Sequence, residues 1–117
     1  MSLDREEKRV AEIFGVKEGK ALPNVSRQTL RKYHAYLEAN LEFPFKAMVE
    51  DLDGEATIQS LFALRECPDL TFYGLFCRGT HGGIIIEIPL AEIKEVEDRG
   101  ANKHLVEDYC MWFWNYR

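Results

Sequence analysis

In the segment SRQTLRKYHAYLEANL, Leu30, Tyr33, Leu37 and Leu41 recur at i, i+3, i+7 and i+11, with mostly polar residues between them. That spacing lays four apolar side chains along one face of a helix. Ser26 is the expected N-cap, because a hydroxyl can accept from the first-turn amides that have no intrahelical partner. A second stripe, Leu105, Tyr109, Trp112 and Tyr116, widened by Val106 and Phe113, predicts a closing helix over KHLVEDYCMWFWNY, with Asn102 as its cap. Near the start, LDREEKRVAEIF predicts a charged amphipathic helix ended by Gly15, whose substantial apolar patch is only Val10, Ile13 and Phe14. So short a patch predicts a loosely docked arm. The expected organisation is therefore an N-terminal helical arm and connector over residues 1–25 and one domain over residues 26–117.

Between Phe43 and about Asp98 the period changes from helical to alternating. Pro44 disfavours helical backbone at Phe43, so the chain must become extended there. FPFKAMVED is the first expected strand and DLDGE its turn; ATIQSLFALREC, TFYGLFC and GIIIEIP are the second to fourth, and EIKEVED is the fifth. CRGTHGG (residues 77–83) reads as a hairpin turn with a solvated His81 at its tip, and IPLAEIKEV as one 3₁₀ turn before the last strand. Together these predict an α+β fold: a small five-stranded antiparallel SH3-like barrel, flanked by N-terminal helices and a C-terminal helix.

Composition narrows the functional classes. The 117 residues carry a formal charge of −5, with 46% hydrophobic and 30% charged residues, the profile of a globular protein able to bury a core without disulfides. A negative surface disfavours nucleic acid and anionic membranes and mildly favours cations or basic partners. No apolar run is as long as a membrane span, and MSLDREEKRV has no apolar signal-peptide core, so a cytoplasmic location is expected. Cys67, Cys77 and Cys110 are odd in number, far apart and without a CxxC pair, as for reduced thiols serving as small apolar fillers.

Three groups of residues carry candidate chemistry. Asp51, Asp53 and Glu55, with Gly54 between them and Glu50 before them, resemble the start of a calcium loop, since a hard cation wants several oxygens and a sharp bend. The bidentate Glu of an EF-hand is missing further along, and the same residues serve equally as an acidic hairpin turn. His34 precedes Glu38 by four residues and His104 precedes Asp108 by four, so each pair lies on one side of a helix. If the two pairs converged they would suit Zn²⁺ or Mn²⁺; apart, they are ordinary surface pairs. No Ser/His/Asp order or paired-carboxylate spacing indicates an enzyme.

Three segments in order, YHAYLEANLEFPFKA, IPLAEIKEV and VEDYCMWFW, resemble the CcbP-type family of small bacterial calcium-binding proteins. The resemblance spans residues 33–114 and implies an SH3-like barrel embraced by helices, a calcium ion as ligand and no catalysis. It implies ligand roles for Glu38, the acid before Phe-Pro-Phe, and for Asp108, the acid of the closing helix; beside that resemblance, Glu42 lies one helical turn beyond Glu38 and is expected to present oxygens at the same corner. Asp51, Asp53 and Glu55, with Glu50, would form a separate and looser site. Two departures, Ala39 in place of an acid and Arg78-Gly79-Thr80-His81 where an acidic loop is expected, imply weaker calcium binding. The expected function is thus an intracellular calcium buffer or sensor using carboxylates at the helix/barrel junction. The rival expectation is an SH3-like protein-interaction module without metal.

Overall fold

A computed structural model describes residues 3–17, 19–97 and 100–117, with side chains from Arg5 onward. The elements in chain order are α1 (Leu3–Phe14), α2 (Arg27–Asn40), β1 (Phe45–Val49), β2 (Glu55–Leu61), a 3₁₀ turn (Leu64–Glu66), α3 (Leu70–Tyr73), β3 (Phe76–His81), β4 (Ile84–Pro89), a 3₁₀ turn (Leu90–Glu92), β5 (Ile93–Val96) and α4 (Ala101–Asn115). Ser26 caps α2 as its sequence demands. Its hydroxyl accepts from the Thr29 amide at 3.2 Å, and the Thr29 hydroxyl accepts from the Ser26 amide at 2.8 Å. The helix stops at Leu41, and the peptide from Phe43 to Pro44 is cis. The 3₁₀ turn expected in IPLAEIKEV is present at Leu90–Glu92.

The strands pair antiparallel in the order β4-β3-β2-β1-β5. This corrects the expectation of an SH3-like barrel: the sheet is open, and the α+β class stands without the closure. β4 and β5 are joined by one 3₁₀ turn yet lie at opposite edges, because β5 pairs with β1 through Ala47↔Val96 and Met48↔Glu95. The core is built between sheet and helices. Tyr33, Tyr109, Trp112 and Phe113, all fully or almost fully buried, lie with Leu30, Leu37, Ile58 and Leu75. Side chains of that size need a sheet-against-helix layer, which a five-strand barrel interior would not hold.

Two local expectations also change. In TFYGLFC, Thr71 to Tyr73 belong to the short helix α3, and the strand begins only at Phe76. Gly74 makes the break: its φ is +73°, and a Cβ there would run into the Tyr109 hydroxyl and the Phe113 ring. The Leu75 amide donates to the Tyr109 hydroxyl at 2.9 Å, which ties this bend to α4. Between β3 and β4 the expected hairpin is tight, with Gly82 and Gly83 both at positive φ and His81 paired with Ile84. The far end of the EIKEVED segment, at Asp98, lies outside the described residues.

The arm docks more closely than its short patch implied. Val10 of α1 is fully buried, and Phe14 packs edge-on to Tyr33 at 5.6 Å and against Trp112 at 5.2 Å. Farther along, Trp112 donates to the Pro23 carbonyl at 2.8 Å, and the Val25 amide donates to the Tyr116 carbonyl at 2.7 Å. The connector is thereby held along α4.

Candidate functional site

Asp108 lies on the inner face of α4 with a side chain only 5% exposed. A carboxylate so withdrawn from water requires a counter-charge. Arg9 of α1 supplies it: its Nε donates to Oδ2 at 2.6 Å and its second nitrogen to Oδ1 at 2.8 Å, a bidentate fork. Hydrogen bonding to Asp108 holds the Arg9 guanidinium above its ordinary pKa. Glu6 lies on the same helix, and its carboxyl is raised first by burial and then by the nearby charges of Asp108 and Glu107. The hydroxyl of Tyr33, fully buried on α2 and facing the same cleft, has no hydrogen-bond partner. Burial, followed by the charge of Asp108, pushes that phenol strongly up.

A second acidic corner forms where the β1–β2 hairpin meets the 3₁₀ turn before β5. Glu50, Asp51 and Glu92 line one open cleft together with Lys94. The Glu50 amide donates to the Glu92 carbonyl at 2.9 Å, which fixes the two backbones side by side. Asp51 turns the chain at φ +65°. Burial raises the Glu92 carboxyl, and the charges of Asp51 and then Glu50 raise it further. Lys94, which lines the same cleft, stands 3.7 Å from Glu50.

The remaining predicted residues are dispersed. Glu55 faces Lys46 at 3.6 Å and raises the carboxyl of Glu97 by sharing a hydrogen bond with it. Asp53 is exposed, and its main-chain carbonyl is bonded to the His81 ring, so His81 braces two hairpins and is only half exposed. Glu38 is 57% exposed and 3.9 Å from His34, whose Nε2 is bonded to the Phe62 carbonyl at 2.7 Å. Glu42 presents its side chain to solvent while its main chain is clamped by Asn102: the amide oxygen accepts from Glu42 N–H at 3.0 Å and the amide nitrogen donates to its carbonyl at 2.8 Å.

That clamp replaces the capping role expected of Asn102, since α4 begins two residues earlier than that cap requires and Gly100 occupies the N-cap position. Glu38 and Asp108 therefore have different partners on different elements, His34 of α2 for one and Arg9 of α1 for the other. The two His/acid pairs do not assemble either: His34 is buried toward Phe62, and His104 is exposed on α4. Among the described residues, no group of three or more His, Cys, Asp or Glu is placed to hold a metal ion as it stands. The thiols of Cys77 and Cys110 are each pushed up to about 12 by burial, which suits apolar filling and not nucleophilic chemistry.

Sequence reasoning missed Arg9 and Glu92. Arg9 sits 99 positions from Asp108 and has no local signature. Glu92 falls in a 3₁₀ turn whose approach to the β1–β2 hairpin depends on β5 crossing to the β1 edge. Among the described residues no helix is long and apolar enough to cross a membrane. No curated protein and no solved structure matches the chain. A family model described as calcium binding, that of the CcbP family, matches residues 24–113 of the 117, a binding description in line with the non-enzymatic expectation. The chain belongs to the CcbP calcium-binding family.

Proposed function

We propose that this protein binds calcium weakly through carboxylates at its open acidic corner, with Glu50, Asp51 and Glu92 as the residues that gather on the ion. The observation that carries the reading is that these three acids line one open cleft with Lys94, where burial and then repulsion by the charges of Asp51 and Glu50 raise the Glu92 carboxyl. A divalent cation relieves that repulsion, and oxygen ligands of this kind suit Ca²⁺. The side chains must move to close on the ion, so ordering them offsets part of the gain and places the affinity at the weak end for calcium sites. Asp53 and Glu55 flank this corner as outer charges, and Glu38 and Glu42 contribute general negative potential from the end of α2.

Calorimetric titration of chelator-stripped protein with Ca²⁺, with Mg²⁺ and Zn²⁺ as controls, tests the reading. Saturable calcium uptake is expected, with a dissociation constant on the order of 10⁻⁴–10⁻³ M. Asp51→Asn or Glu92→Gln should weaken it roughly tenfold, as removal of one ligand charge would. Absence of calcium uptake would leave these carboxylates as surface charges and sink the proposal.

An interaction module without metal is the second reading, supported by two exposed apolar places. β4 is an edge strand on which Ile84 and Ile85 are each 68% exposed. Near the C-terminus, Phe72 and Trp114 are exposed with Arg117 over both rings.

A further inference from the structure

The two edges of the sheet are finished differently. β5 is four residues long, carries the exposed charges of Lys94 and Glu95, and lies against α4. Short length, charge and a covering element are the usual means of keeping an edge from pairing with another chain. β4 is six residues long, and among the described residues no strand lies beyond it. Its first half has no such protection, since Ile84 and Ile85 are each 68% exposed. Its one charge, Glu87, is already held by Arg78 of β3 at 2.6 and 3.1 Å.

The hairpin register fixes which groups β4 has on offer. Ile84 pairs with His81 across the two-residue turn, so Ile84, Ile86 and Ile88 exchange main-chain hydrogen bonds with β3. The Leu90 amide continues that series by donating to the Leu75 carbonyl at 2.8 Å. The amides and carbonyls of Ile85 and Glu87 therefore point to the open side of the strand. Side chains alternate too. Ile86 and Ile88 pack against the core and Ile84 extends their row beyond it, whereas Ile85 and Glu87 stand on the outer face with Arg78.

We propose that β4 pairs antiparallel with β4 of a second copy of this chain, about a twofold axis at Ile85. Self-complementarity selects a second copy as the occupant. In this register Ile85 meets Ile85 on the outer face, and Ile84 meets Ile86 of the second copy on the core face. Charge selects the register. An axis at Glu87 would set two carboxylates face to face, and an axis at Ile86 would set each carboxylate against an isoleucine. The Ile85 axis places Glu87 opposite Gly83, which has no side chain. With Glu87 matched by its own Arg78, two chains of charge −5 meet here without opposing charges. Two exposed isoleucines and one strand edge per copy fall below the roughly 1,200 Å² of a stable interface, so the dimer is weak. The pairing concerns assembly and does not depend on the calcium reading.

Sedimentation velocity of the full chain in chelator tests it, with a monomer–dimer equilibrium expected at a dissociation constant on the order of 10⁻⁴ M. Ile85→Lys, which opposes two ammonium groups across the axis from an exposed position, should weaken the dimer by about tenfold or more. Hydrogen exchange of the parent at low and high protein concentration reads the register without any variant. The Ile85 and Glu87 amides should slow severalfold on dimerisation, and those of Ile84 and Ile86, already bonded to β3, should stay as they are. A monomer at every concentration up to about 1 mM would overturn the proposal. So would a dimer that Ile85→Lys leaves intact, or one that leaves the Ile85 and Glu87 amides unprotected.

Discussion

The two acidic corners of this protein handle the same chemical group in opposite ways. At the α1/α4 corner one carboxylate, Asp108, is buried and met by a bidentate arginine. At the hairpin corner Glu50, Asp51 and Glu92 stand near solvent with one lysine among them. The difference follows from the surrounding medium. Burial multiplies the cost of an unmatched charge, so the interior fixes charge one for one. Near water the same imbalance costs little and can persist, leaving a surplus that a mobile cation can satisfy. The buried corner explains docking, and the open corner is where the proposed function places the ligand.

The most severe way to break this contrast is to make the buried corner unmatched. Arg9→Met should lower stability by about 3–5 kcal/mol in urea unfolding, because it strands a buried carboxylate. Asp108→Asn should cost less, since the Arg9 side chain is already 39% exposed and can turn to water. Equal losses from the two would show that the pair acts only as a unit, without the asymmetry of burial. Next in size is Tyr33→Phe. Removing an unpartnered buried hydroxyl should leave the protein unchanged or more stable by about 1 kcal/mol without calcium, while loss of stability would reveal a partner for that oxygen.

The smallest effect belongs to the open corner. Glu92 titrates above its ordinary 4.5 in the folded protein, so the folded state holds more protons than the unfolded chain through that window. Stability from this group is present at lower pH and declines as pH rises through the raised value. Glu92→Gln should therefore raise the calcium-free melting temperature at pH 7 by about 1–3 °C, with the gain fading as pH falls below 4.5. A gain that grew on acidification would reverse the assigned sign.

Much of the scaffold was legible in the sequence. The stripes through Tyr33 and Trp112, the Ser26 cap and the Leu90–Glu92 turn follow from local spacing and local hydrogen bonding, which a sequence displays directly. The ordered segments running into Phe-Pro-Phe also carried the family. The Thr71–Tyr73 stretch misled because a short apolar aromatic run fits a strand or a helical turn equally, and the choice fell to Gly74 pressed against Tyr109. The candidate site was legible only in composition. Carboxylates were visible as a resource, but which of them share a corner depends on how strands cross.

The sequence by itself determined the alternation of helix and strand, the aromatic core stripes, the negative charge and the family. Only the tertiary structure decided that the sheet stays open, that Asn102 clamps Glu42 instead of capping α4, that Glu92 joins Glu50 and Asp51, and that Arg9 reaches Asp108 across 99 positions. The physical reason is common to all four. Local geometry is set within a few residues by backbone sterics and hydrogen bonds, whereas pairing between distant groups is settled by which surfaces must be buried together and which buried charges must then be matched.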